Sequence, residues 1–248
     1  MTARQEELAA GLAAVRERVE AACRSAGRPE DDVTLVVVTK HFPPEDVLTL
    51  HDLGVRDFGE NRDQEAGRKF RAVRDRLGAR RDEDDVTMHF VGQLQTNKAR
   101  SVAAYADVVH SVDRPSLVGA LGHGAQATGR PLQVLLQVEL GAAQRNGLGR
   151  GGADRGGAQP DELADLGDAV ASRPLLRLAG VMAVAPRGVD PDLSFARLEE
   201  VARGIRRAHP DARWISAGMS DDLEAAIRHG ATHLRVGTAI LGPRAALR

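Results

Sequence analysis

The segment VTLVVVTK, residues 33–40, decides how the rest of the chain is read. It is an apolar run of strand length that closes on Lys40, the only lysine before position 69. A long cation at the carboxyl end of such a strand sits where α/β proteins place their chemistry. Working outward, further strand patterns fall at 55–58, 87–91, 107–110, 133–140, 178–183, 212–215 and 234–236, beside 34–39 itself. Helix-sized segments lie between them, at 44–53, 94–104, 114–127, 160–172, 194–208 and 220–229. Eight short strands alternating with such segments predict parallel pairing through crossover helices. The fold expected is α/β, a single (β/α)₈ TIM barrel, with an open doubly wound sheet as the alternative. Leu8, Leu12, Val15 and Val19 recur at helical spacing before Gly27-Arg28-Pro29, which adds an amphipathic N-terminal helix.

Composition narrows the function classes. The 248 residues hold 42% hydrophobic and 28% charged side chains, an ordinary globular balance, and no composition shift divides them. One domain over 1–248 is expected. A net charge of −1 gives no global field for nucleic acid or an anionic membrane. The arginine-rich stretch 68–85 is answered at once by acids and reads as a solvated helix and loop. Cys23 is the only cysteine, so no internal disulfide forms. The first residues lack a signal peptide's apolar core, and no run is long enough to span a bilayer. The cytoplasm is therefore the expected compartment.

Strand-end residues of a barrel converge on one face. Lys40 there can form a Schiff base with an aldehyde once burial or a nearby cation lowers its pKa from about 10.4; otherwise it snorkels from the mouth. Ser216, Ala217 and Gly218 end a strand before the acids of the next helix, and Gly237 with Thr238 ends another. Phosphate sites after strands seven and eight recur in this fold; the bland alternative is a helix cap at Ser220 and a turn at Gly237. Arg235 lies between Leu234 and Val236 in a strand that reads as buried. It needs an acceptor, either a structural carboxylate or a pyridine nitrogen. Asn61 is a candidate donor to a ring oxygen or a helix cap. His89 reads as a satisfied core histidine, and His110, His229 and His233 lack metal-ligand spacing. Gly147, Gly149 and Gly152 satisfy G-x-G-x-x-G but stand too far beyond Leu140 for a dinucleotide turn, so 141–160 reads as a loop at the mouth. A lysine with a phosphate cradle points to pyridoxal 5′-phosphate.

The segments VVVTKHFPPEDV, DFGENRDQE, MHFVGQLQTNKAR, HSVDR, LAGVMAV and ISAGMSDDLEAAIRHGATHLRVGTAILGPR resemble the pyridoxal-phosphate homeostasis protein family, also called proline synthase co-transcribed proteins. That resemblance implies a barrel like the N-terminal domain of alanine racemase and an internal aldimine on Lys40. It also implies phosphate contacts from Ser216, Gly218, Met219, Gly237 and Thr238, Arg235 at the pyridine nitrogen, and Asn61 in the same pocket. Family members look like cofactor carriers and regulators of vitamin B6 pools, with PLP-dependent apoenzymes as candidate receivers. Racemase relatives add a second domain and a partner subunit's tyrosine; here Tyr105 is the only tyrosine and no second domain is apparent. Efficient racemization is therefore not expected, and a weak racemase or a class I aldolase are the enzymatic alternatives. No exposed apolar stripe demands more than a monomer or weak dimer. His41 and Phe42 follow Lys40 where members often have K-x-K, and Arg145 or Arg150 stands for a basic residue in the loop after strand five. Lys98 is a further pocket-edge candidate.

Overall fold

The computed structural model describes residues 2–78, 86–141 and 156–243. Eight strands form a closed barrel: β1 (Thr34–Val38), β2 (Asp57–Glu60), β3 (Thr87–Phe90), β4 (Val108–Val112), β5 (Leu132–Gln137), β6 (Leu176–Met182), β7 (Trp214–Ser216) and β8 (His233–Val236). They pair in parallel in chain order, and β8 closes on β1 with Val36 opposite Arg235. The (β/α)₈ barrel expected from the strand pattern is the fold that forms.

Around it lie α1 (Ala3–Ser25), α2 (Pro44–Asp52), α3 (Asp63–Gly78), α4 (Ala99–Ala103), α5 (Pro115–Thr128), α6 (Leu163–Ala171), α7 (Pro191–Ala208), α8 (Leu223–Arg228) and α9 (Thr238–Leu241). α1 is the extra helix, opened by a Thr2–Gln5 capping box. It buries Leu8, Leu12 and Val15 and packs on α8 and α9. Among the described residues no helix is long and apolar enough to cross a membrane.

Several expectations shift; β5 ends at Gln137, α4 covers only Ala99–Ala103 and β7 starts at Trp214. β2 starts two residues later than the 55–58 pattern, because the Val55 amide closes the end of α2 by donating to Leu50 O at 3.0 Å. The arginine-rich stretch is no solvated surface throughout: α3 buries Lys69, Phe70 and Val73, while 79–85 lie outside the described residues. α8 begins at Leu223 rather than Ser220, with Asp222 at its N-cap. Most of the 141–160 loop, with Arg145, Arg150 and the three glycines of its motif, also lies outside the described residues.

Side chains alternate between the helix-facing layer and the lumen. Val37, Phe58, Met88, Phe90, Val109, Leu234 and Val236 belong to the outer core. Val108, Leu135, Ala179 and Met182 form a separate cluster with Trp214 inside the barrel. The same parity turns Asp57, His89, His110, Ser216, His233 and Arg235 inward. Gly180 lets β6 reach β7: a Cβ there would stand 1.9 Å from Trp214 O.

Candidate functional site

At the carboxyl mouth Lys40 is half-buried, two residues past the end of β1 on the inward parity. Its neighbours are clamped on both sides. The Thr39 amide donates to Gly59 O at 2.9 Å, and Lys69 Nζ donates to Thr39 O at 2.7 Å. The His41 amide donates to Glu65 Oε1 at 2.6 Å, and His41 holds a φ of 70°, left-handed backbone that a non-glycine residue seldom adopts. Lys69 also bonds Glu60 at 2.5 Å and Glu65 at 3.2 Å, and Glu60 takes the Thr39 hydroxyl at 2.9 Å. Burial raises the Glu60 pKa above the usual carboxylate range against the lowering effect of Lys69. Nothing in the sequence pattern signals this cluster, because it joins three elements through side chains that read as ordinary charged helix and strand-end residues.

Below the mouth a hydrogen-bonded chain crosses the lumen. Asp57 Oδ1 meets His89 Nε2 at 2.9 Å, His89 Nδ1 meets His110 Nε2 at 2.8 Å, and His110 Nδ1 meets Ser216 Oγ at 2.9 Å. Arg235 Nη1 donates to Ser216 Oγ at 2.6 Å and Nη2 to Ala183 O at 2.8 Å. An ionised Asp57 can only accept, so His89 donates from Nε2. A singly protonated His89 then accepts at Nδ1, His110 donates from Nε2, and the Ser216 hydroxyl gives its proton to His110 Nδ1. A second proton on His89 reverses the tautomer of His110 and releases the Ser216 hydroxyl proton for another acceptor.

The electrostatics follow from burial. Burial, then His89, Arg235 and His233, holds His110 well below the usual imidazole range. Burial and His89 bring His233 to about 3; its ring lies against Trp214 with centroids 4.1 Å apart. Burial lowers Arg235 to about 10, so it stays cationic at neutral pH. Among the described residues Arg235 has no carboxylate within ion-pair distance; its acceptors are a hydroxyl and a carbonyl. The structural ion pair considered from the sequence is not what holds it.

The expected site residues fall around Lys40. β2 pairs with β1, which puts Asn61 on one flank, its Oδ1 buried and unpartnered. A Cβ on Gly92 would stand 2.2 Å from Asn61 O, so that glycine admits the Asn61 backbone. On the other flank a Cβ on Gly237 would stand 2.9 Å from Val38 O, and Thr238 is exposed at the start of α9. Gly237, with a φ of −124°, serves close strand contact and also begins the turn into α9, its carbonyl accepting from the Ile240 amide at 3.0 Å. Ser216 lies deeper than the turn it begins, its hydroxyl spent inside the barrel. Gly218 has a φ of 91° and its carbonyl accepts from the Arg235 amide at 2.9 Å; the exposed Met219 gives its amide to Asp222 at 2.6 Å. His89 is the satisfied buried histidine expected, whereas Asp57, His110 and His233 enter the lumen without a sequence signal beyond strand parity. Among the described residues no group of three or more His, Cys, Asp or Glu side chains is arranged to hold a metal ion.

The alanine racemase N-terminal domain family model matches residues 11–245. Over 251 residues the chain is 42% identical to the pyridoxal phosphate homeostasis protein of Mycobacterium leprae, covering 97% of this chain and 94% of that one. The chain belongs to the pyridoxal phosphate homeostasis protein family. The homeostasis protein of Escherichia coli is 37% identical, with 96% and 97% covered. Among solved structures, PipY of Synechococcus elongatus with PLP bound superposes with a TM-score of 0.75 at 30% identity, covering 95% of this chain and all of PipY. The segments that carry the family resemblance supply Lys40, Asn61, the lumen histidines, Ser216 and Arg235.

Proposed function

We propose that this chain binds pyridoxal 5′-phosphate at the barrel mouth through Lys40 and serves cytoplasmic vitamin B6 homeostasis by holding and releasing it. The observation that carries this reading is the buried, carboxylate-free Arg235 on the strand paired with the one that delivers Lys40. A guanidinium so placed suits a neutral ring-nitrogen acceptor, and because arginine keeps its proton it leaves that nitrogen unprotonated. The unpartnered side-chain oxygen of Asn61, an acceptor, also fits a ring hydroxyl that donates to it. When bound, the cofactor supplies an electrophilic aldehyde and an electron-withdrawing ring. The chain's own residues bind and orient: Lys40 offers the amine, Thr39 and His41 fix its backbone, and Gly218, Met219, Gly237 and Thr238 are the phosphate side.

Holding rather than turnover is favoured by Tyr105, the chain's single tyrosine. It is buried against Phe70 and donates to Asp63 at 3.3 Å, and burial raises its pKa, so it offers no acid at the mouth. In this reading the chain is one barrel domain and PLP-dependent apoenzymes receive the cofactor. The test is absorption of the purified protein before and after borohydride, with the reduced adduct mapped by mass spectrometry. A pyridoxyl group on Lys40 is expected; a colourless protein unmodified by added cofactor would overturn the reading.

A further inference from the structure

A second cavity, of about 860 Å³, opens on the β2–β4 side of the barrel. It is bounded by Arg62, Arg68, Lys98 and Arg114, with Asp63 and Glu65 as its acids. Of the residues assigned above to the cofactor, Asn61 touches it, and so does Lys98, the pocket-edge candidate. Its volume is within the range of small-molecule sites.

Its four cations outnumber its two acids. Glu65 is spent on Lys69 and the His41 amide, and Asp63 accepts from Ser101 Oγ at 2.8 Å and from Tyr105. Arg114 is held in place by Asp113 at 2.5 Å, Leu94 O at 2.8 Å and Thr96 Oγ1 at 3.0 Å. Arg68 donates from Nε to Gln64 O at 3.2 Å, with no bond from its terminal nitrogens among the described residues. Arg62 and Lys98 line the same cavity, and their side chains have no hydrogen-bond or ion-pair partner among the described residues. Cations gathered around one concavity raise its potential, and an anion there gains charge-assisted hydrogen bonds from several donors at once.

We propose that this cavity binds a small, multiply charged anion bearing phosphate or carboxylate groups, at a site separate from the cofactor's. The inference goes beyond the cofactor reading and does not depend on it.

The test uses protein loaded with pyridoxal 5′-phosphate and reduced with borohydride, which fixes the adduct on Lys40. Pyrophosphate and citrate are titrated separately by calorimetry at low ionic strength. One-to-one saturable binding is expected, weakened at least about tenfold in the R62A/K98A double variant, which corresponds to about 1.4 kcal/mol. R203A, at an exposed position on α7, should leave it unchanged. Preference for pyrophosphate assigns phosphate esters, preference for citrate assigns polycarboxylates, and equal binding assigns charge alone. Absence of saturable binding, or equal affinity in R62A/K98A, would overturn the proposal. So would binding that unloaded protein shows and the fixed adduct abolishes, since the cavity would then be the cofactor's own phosphate seat. If the cofactor does not load, its absorption reports that separately and the same titration on unloaded protein tests the cavity.

Discussion

Lys69 Nζ donates to the carbonyl oxygen of Thr39 at 2.7 Å, so the residue before Lys40 is tied to α3 by a buried cation. The same nitrogen neutralises Glu60, which has no exposure to water. The backbone that carries Lys40 is thus held by a second, buried lysine.

Lys69→Met should cost about 3–5 kcal/mol, because it strands a buried carboxylate. Adding Glu60→Gln should restore much of that stability without restoring the tie to Thr39. Denaturant unfolding measures the first effect. The second shows as slower and less complete borohydride trapping of cofactor on Lys40 in the double variant than in wild type.

Stability should fall in mild acid. His110 and His233 have folded pKa values below the ordinary 6.5, so the unfolded chain takes up protons that the folded chain refuses. Their contribution is complete above about pH 6.5 and is lost as the pH falls from there through the folded value of about 3 for His233. Each contributes a slope of up to about 1.4 kcal/mol per pH unit. Urea unfolding between pH 7 and pH 5 should show it, and His233→Gln should flatten it.

The lumen chain fixes a tautomer. With Asp57 accepting the His89 Nε2 proton, nitrogen NMR should find the proton of His110 on Nε2 whenever His89 carries a single proton. Asp57→Asn turns an obligatory acceptor into a group that can also donate, and should scramble that tautomer while Lys40 remains trappable. A His110 proton on Nδ1 while His89 carries a single proton would contradict that direction.

Gly180→Ala should abolish soluble folding or cost more than about 4 kcal/mol, since its Cβ would overlap Trp214 O at 1.9 Å on the neighbouring strand. Expression and thermal melting would decide this against a tolerated substitution.

The chain's sequence by itself determined the repeating strand–helix order, the N-terminal helix and the lysine at the end of the first strand. These are local properties: apolar period, segment length and stop signals act within a few residues of one another. The strand-end reading singled out Asn61, Arg235, Gly237 and Thr238, and pairing of β2 and β8 with β1 brings their elements beside the strand that delivers Lys40. Tertiary structure alone decided the rest. Whether Arg235 meets a carboxylate or a hydroxyl depends on which residues strands β6 and β7 bring to it. The union of Asp57, His89, His110 and Ser216 needs strands from opposite sides of the lumen, brought into line by closure of the sheet. Lys69 and Glu65 read as charged helix surface until α3 docks over β1 and β2. Burial then makes their pairing obligatory, because a charge removed from water must find a partner.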